Sequence, residues 1–277
     1  MRIIRVFPRR LSATPDDALA YVGPPDFFAE ADEIHVSVSF TWDVPIAERL
    51  AKQWEWVAPV KMGGPALGTV GGEFVPGMYL KVGHVITSRG CPNSCWFCEV
   101  WKRDGEIREL PIRDGWIIQD DNLLACSEGH IRAVFAMLGR QPEPPQFLGG
   151  LEAARLQPWM VDGLRAIHPK QIFFAYDTPD DLEPLVIAGR MLREGGIART
   201  SLRAFVLCGY DGDTIDLAEN RMRETWAAGF LPFAMVYRDR HGDKPDRWRA
   251  WQRNWTRPAI TRALLATKGQ GVAARGE

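Results

Sequence analysis

The chain has no apolar run approaching the roughly 20 residues needed to cross a bilayer, which argues against a membrane partner. Its opening segment, Met1 to Arg10, interrupts every apolar pair with arginine. No secretory leader is therefore expected, and the location expected is cytoplasmic. Low-complexity segments are absent, and no internal repeat exceeds one strand–helix unit. Cysteine is scarce, five in all and none before residue 91. An odd number with three of them crowded together does not suit a disulfide framework. Net charge is almost absent too, with 34 basic against 35 acidic residues.

That neutrality conceals an asymmetry. From Arg238 to Glu277 there are ten basic and four acidic residues, a local +6, which leaves −7 on the rest. The 277 residues are 46% hydrophobic and 25% charged, a composition that excludes intrinsic disorder. At roughly 150 residues per domain, the length allows one large domain with an appendage.

After Pro76, short β-rich runs alternate with helical patterns. Strands are expected at His84–Ser88, Trp116–Asp120, Gln146–Gly149, Gln171–Tyr176, Arg203–Cys208 and Leu231–Tyr237. Helices follow the second to the fifth, and the cysteine segment follows the first. Almost continuously apolar strands in such alternation imply a parallel sheet buried on both faces. Six units are two short of a closed eightfold barrel. The fold class expected is therefore α/β, an open partial (βα)6 barrel of the TIM type with its reactive groups at the C-terminal ends of the strands. Residues 1–80 form a small α/β appendage, with strands at Ile3–Phe7 and Ile34–Val38, a helix at Ile46–Trp54 and a further strand within Trp56–Lys61. Residues 81–240 form the barrel and 241–277 a helical tail rich in Trp and Arg.

The most informative segment is Thr87-Ser88-Arg89-Gly90-Cys91-Pro92-Asn93-Ser94-Cys95-Trp96-Phe97-Cys98. Three thiolates spaced C-x3-C-x2-C on one loop can each hold one iron of a cubane, leaving the fourth iron open to a small molecule. Zinc would want four ligands, usually as two separated pairs. No second C-x-x-C is present, although His84, Cys126 or His130 would supply a fourth donor.

This segment resembles the signature of the radical S-adenosylmethionine superfamily, in which an aromatic residue precedes the last cysteine, as Phe97 does here. The resemblance extends over the six strand–helix units, about Leu80 to Tyr237. It implies a 4Fe-4S cluster on Cys91, Cys95 and Cys98 that donates an electron to S-adenosylmethionine. A deoxyadenosyl radical then removes hydrogen from a substrate, and a reductase or flavodoxin-type protein supplies the electron. It also implies cosubstrate contacts. Asp120, Asp121 and Asn122, after the second strand, stand where the family receives the S-adenosylmethionine ammonium, in a variant similar to that of cobalamin-domain and methylthiotransferase-like branches. Arg155 is a candidate for its carboxylate, and Asp177 for the ribose hydroxyls or the methionine moiety. Gly209 is a candidate for adenine packing, although Asp211 replaces the usual proline of that motif. Helix capping and plain strand-to-helix turns are the competing readings of these positions. The literal Gly71-Gly72-Glu73 precedes the cysteines and reads as a turn.

The appendage resembles a shortened, degenerate cobalamin-binding domain. The D-x-H-x-x-G motif is missing, and His35 lies inside a strand pattern, so cobalamin is not expected through a protein histidine. In the tail, Trp248, Trp251 and Trp255 are interleaved with Arg247, Arg249, Arg253 and Arg257. A buried tryptophan stripe with solvent-facing arginines is preferred over a nucleic-acid surface. No substrate-specific acid or base stands out, and small-molecule, peptide and nucleic-acid substrates all stay open. The competing function is a non-catalytic iron–sulfur or zinc protein that binds nucleic acid through its basic tail.

Overall fold

The computed structural model describes residues 1–239, 241–243 and 246–267. The parts of the expected tail at 244–245 and 268–277 lie outside the described residues. In chain order the elements are β1 (Ile3–Phe7), β2 (Ala20–Val22), β3 (Glu33–Ser37), α1 (Val44–Trp54) and β4 (Val60–Gly63). Next come β5 (His84–Val85), β6 (Ser88–Arg89), α2 (Val100–Asp104), β7 (Arg108–Glu109), β8 (Ile117–Ile118) and α3 (Glu128–Leu138). They are followed by β9 (Gln146–Leu151), α4 (Pro158–Ile167), β10 (Gln171–Tyr176), α5 (Leu182–Glu194) and β11 (Leu202–Cys208). The chain then forms α6 (Ile215–Ala227), β12 (Leu231–Val236), α7 (Asp246–Trp255) and α8 (Pro258–Thr267). No helix among the described residues is long and apolar enough to cross a membrane.

Two compact units emerge. The first is Met1–Asp121, joined by His241 and Gly242, and the second is Asn122–Asp239 with α7 and α8. The contacts divide the chain after Asp121. The cysteine segment and the β5–β8 region belong with the N-terminal residues.

In the first unit, four strands run parallel in the order β2-β1-β3-β4. Helix α1 places Ala47, Leu50, Ala51 and Trp54 at helical spacing, and all four are buried. They pack with Ile4, Val6, Ile34, Val36 and Val38 into one core. The Trp54 indole N–H donates to the Gly23 carbonyl at 3.0 Å, so this fully buried aromatic keeps its polar atom satisfied. Strand β2 had no counterpart in the sequence reading, because Ala20-Tyr21-Val22 is too short to show alternation. The strand expected at His84–Ser88 is divided. His84 and Val85 pair in parallel with Ile117 and Ile118, whereas Ser88 and Arg89 pair antiparallel with Glu109 and Arg108.

In the second unit, β9, β10, β11 and β12 lie side by side and all parallel. The α/β alternation with parallel strands is therefore present, and no sheet among the described residues closes on itself. Burial on both faces is partial: Ile172, Phe173 and Phe174 of β10 are buried in succession, whereas β11 and β12 each have a less covered face. Along β11, Leu202, Ala204 and Val206 are buried while Arg203 and Phe205 are partly exposed. The less buried face carries Phe173, Phe205 and Phe233 on neighbouring strands. Phe173 stacks on Phe205 at 4.1 Å and meets Phe233 edge-on at 5.9 Å, a cross-strand aromatic set that stiffens the sheet.

The tail helix α7 buries Trp248, Trp251 and Trp255, while Arg247, Arg249, Arg253 and Arg257 are exposed. Gln252 fastens it to β12 by donating to the Ala234 carbonyl at 2.9 Å. The stripe expected from spacing is thus core.

Candidate metal centre

Cys91, Cys95 and Cys98 sit on the excursion between β6 and β7, and all three are half-buried. The excursion is closed at its base by the β6–β7 ladder. Gly90 opens it with φ +86°, and a Cβ there would lie 2.1 Å from the Glu106 carbonyl oxygen. Only glycine permits that approach and that backbone region. The Cys91 N–H then donates to Gly105 at 3.0 Å. Further on, the Cys95 carbonyl accepts the Cys98 N–H at 3.1 Å and the Trp101 indole N–H at 2.9 Å. Phe97 is half-buried and meets Trp96 edge-on at 5.4 Å.

The two adjacent carboxylates expected to receive an ammonium hold the base of this loop. Asp120 is 2% exposed. Its oxygens accept the Thr87 N–H at 2.6 Å, the Thr87 hydroxyl at 2.5 Å and the Ser88 hydroxyl at 2.8 Å. Burial pushes its carboxyl above the usual range, and the Thr87 and Ser88 donors pull it part of the way back. Asp121 accepts the Gly90 N–H at 2.9 Å. Burial raises its carboxyl as well, against the Gly90 donor and the Arg89 charge. The pair is thereby satisfied by backbone and hydroxyls, which is how buried carboxylates are made tolerable.

Asp104, at the end of α2, is a support that the sequence reading missed. It is buried and accepts the Gly71 N–H at 2.9 Å and a guanidinium N–H of Arg103 at 2.7 Å. Gly71-Gly72-Glu73 lies in irregular chain, as a turn reading implies, and Asp104 ties it to the cysteine loop. A lone Asp before Gly105 gave no signal beyond a helix end.

No protein-family model matches the chain, and no curated protein matches its sequence. The residues alone must then decide what the loop suits. By donor chemistry it suits a three-cysteine cluster, with three half-buried thiol side chains inside eight residues. Among the described residues, no group of three or more His, Cys, Asp and Glu side chains is gathered as a metal site. His84, a candidate fourth donor, is buried in β5 with its Nδ1 at 3.1 Å from the Lys81 carbonyl, and burial lowers its pKa.

The remaining candidates belong to the second unit. The Asn122 amide donates to Glu152 at 2.7 Å, and Arg155 donates to the same Glu152 carboxylate at 2.6 Å. Arg155, expected to bind a ligand carboxylate, is thus paired within its own turn. Glu152, unassigned by the sequence reading, links the two. Asp177 follows β10, and burial pushes its carboxyl up to about 7, with repulsion from Asp181 adding to the rise. The helix cap that competed for Asp177 is made by other residues, a reciprocal pair of Thr178 and Asp181. Gly209, expected to admit adenine, has φ +73°, and its open side is met by the Trp248 indole, 3.0 Å from where a Cβ would stand. The Cys208 thiol, fully buried, is pushed up to about 12 and stays protonated.

One polar array in the first unit was not anticipated. Lys61 donates to Glu33 at 2.9 Å, Glu33 bonds to His35 Nε2, and His35 Nδ1 lies 2.5 Å from the Tyr79 hydroxyl. The pair at 33 and 35 points to one face of β3 by strand alternation, but its link to Tyr79 spans 44 residues and leaves no trace in local pattern.

Proposed function

We propose that this chain is a radical S-adenosylmethionine enzyme on an open, partial α/β barrel, with Cys91, Cys95 and Cys98 as the ligands of a 4Fe-4S cluster. The observation that supports the reading is the coincidence of the C-x3-C-x2-C-type loop with a base held from three sides. Gly90 supplies the turn, Asp120 fixes Thr87 and Ser88, and Asp121 fixes the Gly90 N–H. A cluster on this loop would supply one electron to S-adenosylmethionine. The chain's own part is to carry the three thiols on one segment anchored at its base and to shield them partly from solvent. In this reading Asp120 and Asp121 are positioning residues for the loop. A reductase or flavodoxin-type protein is the proposed electron source, the location is cytoplasmic, and the substrate is left open.

Anaerobic reconstitution with iron and sulfide tests the proposal. Expected are about four irons per chain, an electron paramagnetic resonance signal that shifts on adding S-adenosylmethionine, and formation of deoxyadenosine under reduction. All three should be lost in Cys91→Ala. A colourless protein carrying one tightly bound zinc would overturn the proposal in favour of a structural metal site.

A further inference from the structure

The first unit contains a cavity of about 510 Å³ beside the C-terminal ends of β3 and β4. Its volume is that of a small-molecule site. Most of its wall is apolar, including Met62, Val70, Phe74, Leu80 and Ile86. The charged groups on the wall are largely committed elsewhere. Lys61 and His35 are held by Glu33, Arg103 by Asp104, and Glu73 by Arg113.

Arg89 is different. It lines the cavity, yet its buried Nε has no hydrogen-bond partner. No carboxylate among the described residues lies within ion-pair distance of it. A buried guanidinium N–H without an acceptor is costly, and such a group calls for a reason. At Gly71 a Cβ would stand 2.9 Å from Arg89 Nε, so the absence of a side chain there lets the strap pack directly against the guanidinium.

We infer that this cavity binds a small organic carboxylate, its apolar body against the walls and its carboxylate on Arg89. A guanidinium takes a carboxylate through two parallel hydrogen bonds. One cation outside any ion pair matches a single negative charge better than a phosphate dianion. Binding of this kind does not depend on what the cysteines carry, so its failure and that of the radical reading are separable.

The test uses the full-length purified protein and dansylglycine, which pairs an aromatic body with one carboxylate and brightens in an apolar pocket. Its neutral amide, dansylglycinamide, is the control. Wild type is expected to bind the acid at least about tenfold more tightly than the amide. Arg89→Gln should abolish that preference, Arg89→Lys should keep part of it, and Val70→Trp, on the exposed strap, should weaken both probes by obstruction. Circular dichroism melts establish that each variant is folded. If Arg89→Gln is not, Arg89→Lys and Val70→Trp decide. Equal affinity for acid and amide in wild type overturns the inference, as does undiminished binding to both Arg89→Lys and Val70→Trp.

Discussion

Asp120 receives both the backbone N–H and the hydroxyl of Thr87, at 2.6 and 2.5 Å. With its donors spent on a side chain, Thr87 cannot continue the parallel pairing of β5, and the chain turns into the antiparallel ladder that carries the cysteine loop. One buried carboxylate therefore decides where the loop begins. Asp120→Ala leaves three enclosed donors without an acceptor and should cost about 3–5 kcal/mol. Asp120→Asn keeps one acceptor and should cost less, about 1–3 kcal/mol. Urea unfolding of both variants measures the difference. Cluster uptake should fall in the same order, because the loop's base loosens with it.

Gly90 makes a second, sharper test. Gly90→Ala combines a positive φ that alanine disfavours with a Cβ placed 2.1 Å from the Glu106 carbonyl oxygen. The substitution is expected to lower stability by about 2–4 kcal/mol and to impair iron binding at least as much as losing one cysteine. Normal iron content in a stable Gly90→Ala protein would mean that the loop can be built another way.

The features legible in the sequence were those written in local pattern. Gln171–Tyr176 reads as a strand because six residues are nearly all apolar or aromatic, and the observed strand has those bounds. The tryptophans at 248, 251 and 255 announce a helix face by spacing alone. What stayed hidden depends on partners far along the chain. Asp120 and Asp121 stand out as an unusual pair, but Thr87 and Gly90 lie more than 30 residues away, so their hold on the base of the loop left no local trace. Arg155 is the exception, since its partner Glu152 lies only three residues earlier. The Arg89 cavity arises from chain brought together out of β3, β4, the glycine strap and β6, and no window of sequence contains it.

The tail separates burial from charge. Trp248 is 2% exposed and packs against Gly209, so Trp248→Ala should cost about 3–5 kcal/mol through cavity formation. Arg249 and Arg253 face solvent, and changing both to Gln should alter stability by no more than about 0.5 kcal/mol. Thermal melts check both. The same double variant tests nucleic-acid binding. Should wild type show salt-dependent RNA or DNA affinity that Arg249→Gln with Arg253→Gln removes, the exposed arginines have a role beyond solvation.

Asp177 makes stability depend on pH in the opposite sense to an ion-paired carboxylate. Its pKa is about 7 in the folded protein, raised by burial and then by Asp181, with only the Leu207 N–H opposing. In the unfolded chain it titrates near 4. Between those values the folded state holds a proton that the unfolded state has released, so stability is full below about pH 4 and is lost as pH rises through about 7. Asp177→Asn removes the titration. The variant should be more stable than wild type at pH 8 by on the order of 2–4 kcal/mol and should differ little from it at pH 4. Urea unfolding of both proteins at the two pH values measures this, and an equal difference at both would show that Asp177 is not the group responsible. Because a bound cation beside Asp177 would favour its ionised form, S-adenosylmethionine acting there should also shrink the pH 8 gap between the two proteins, and an unrelated anion should not.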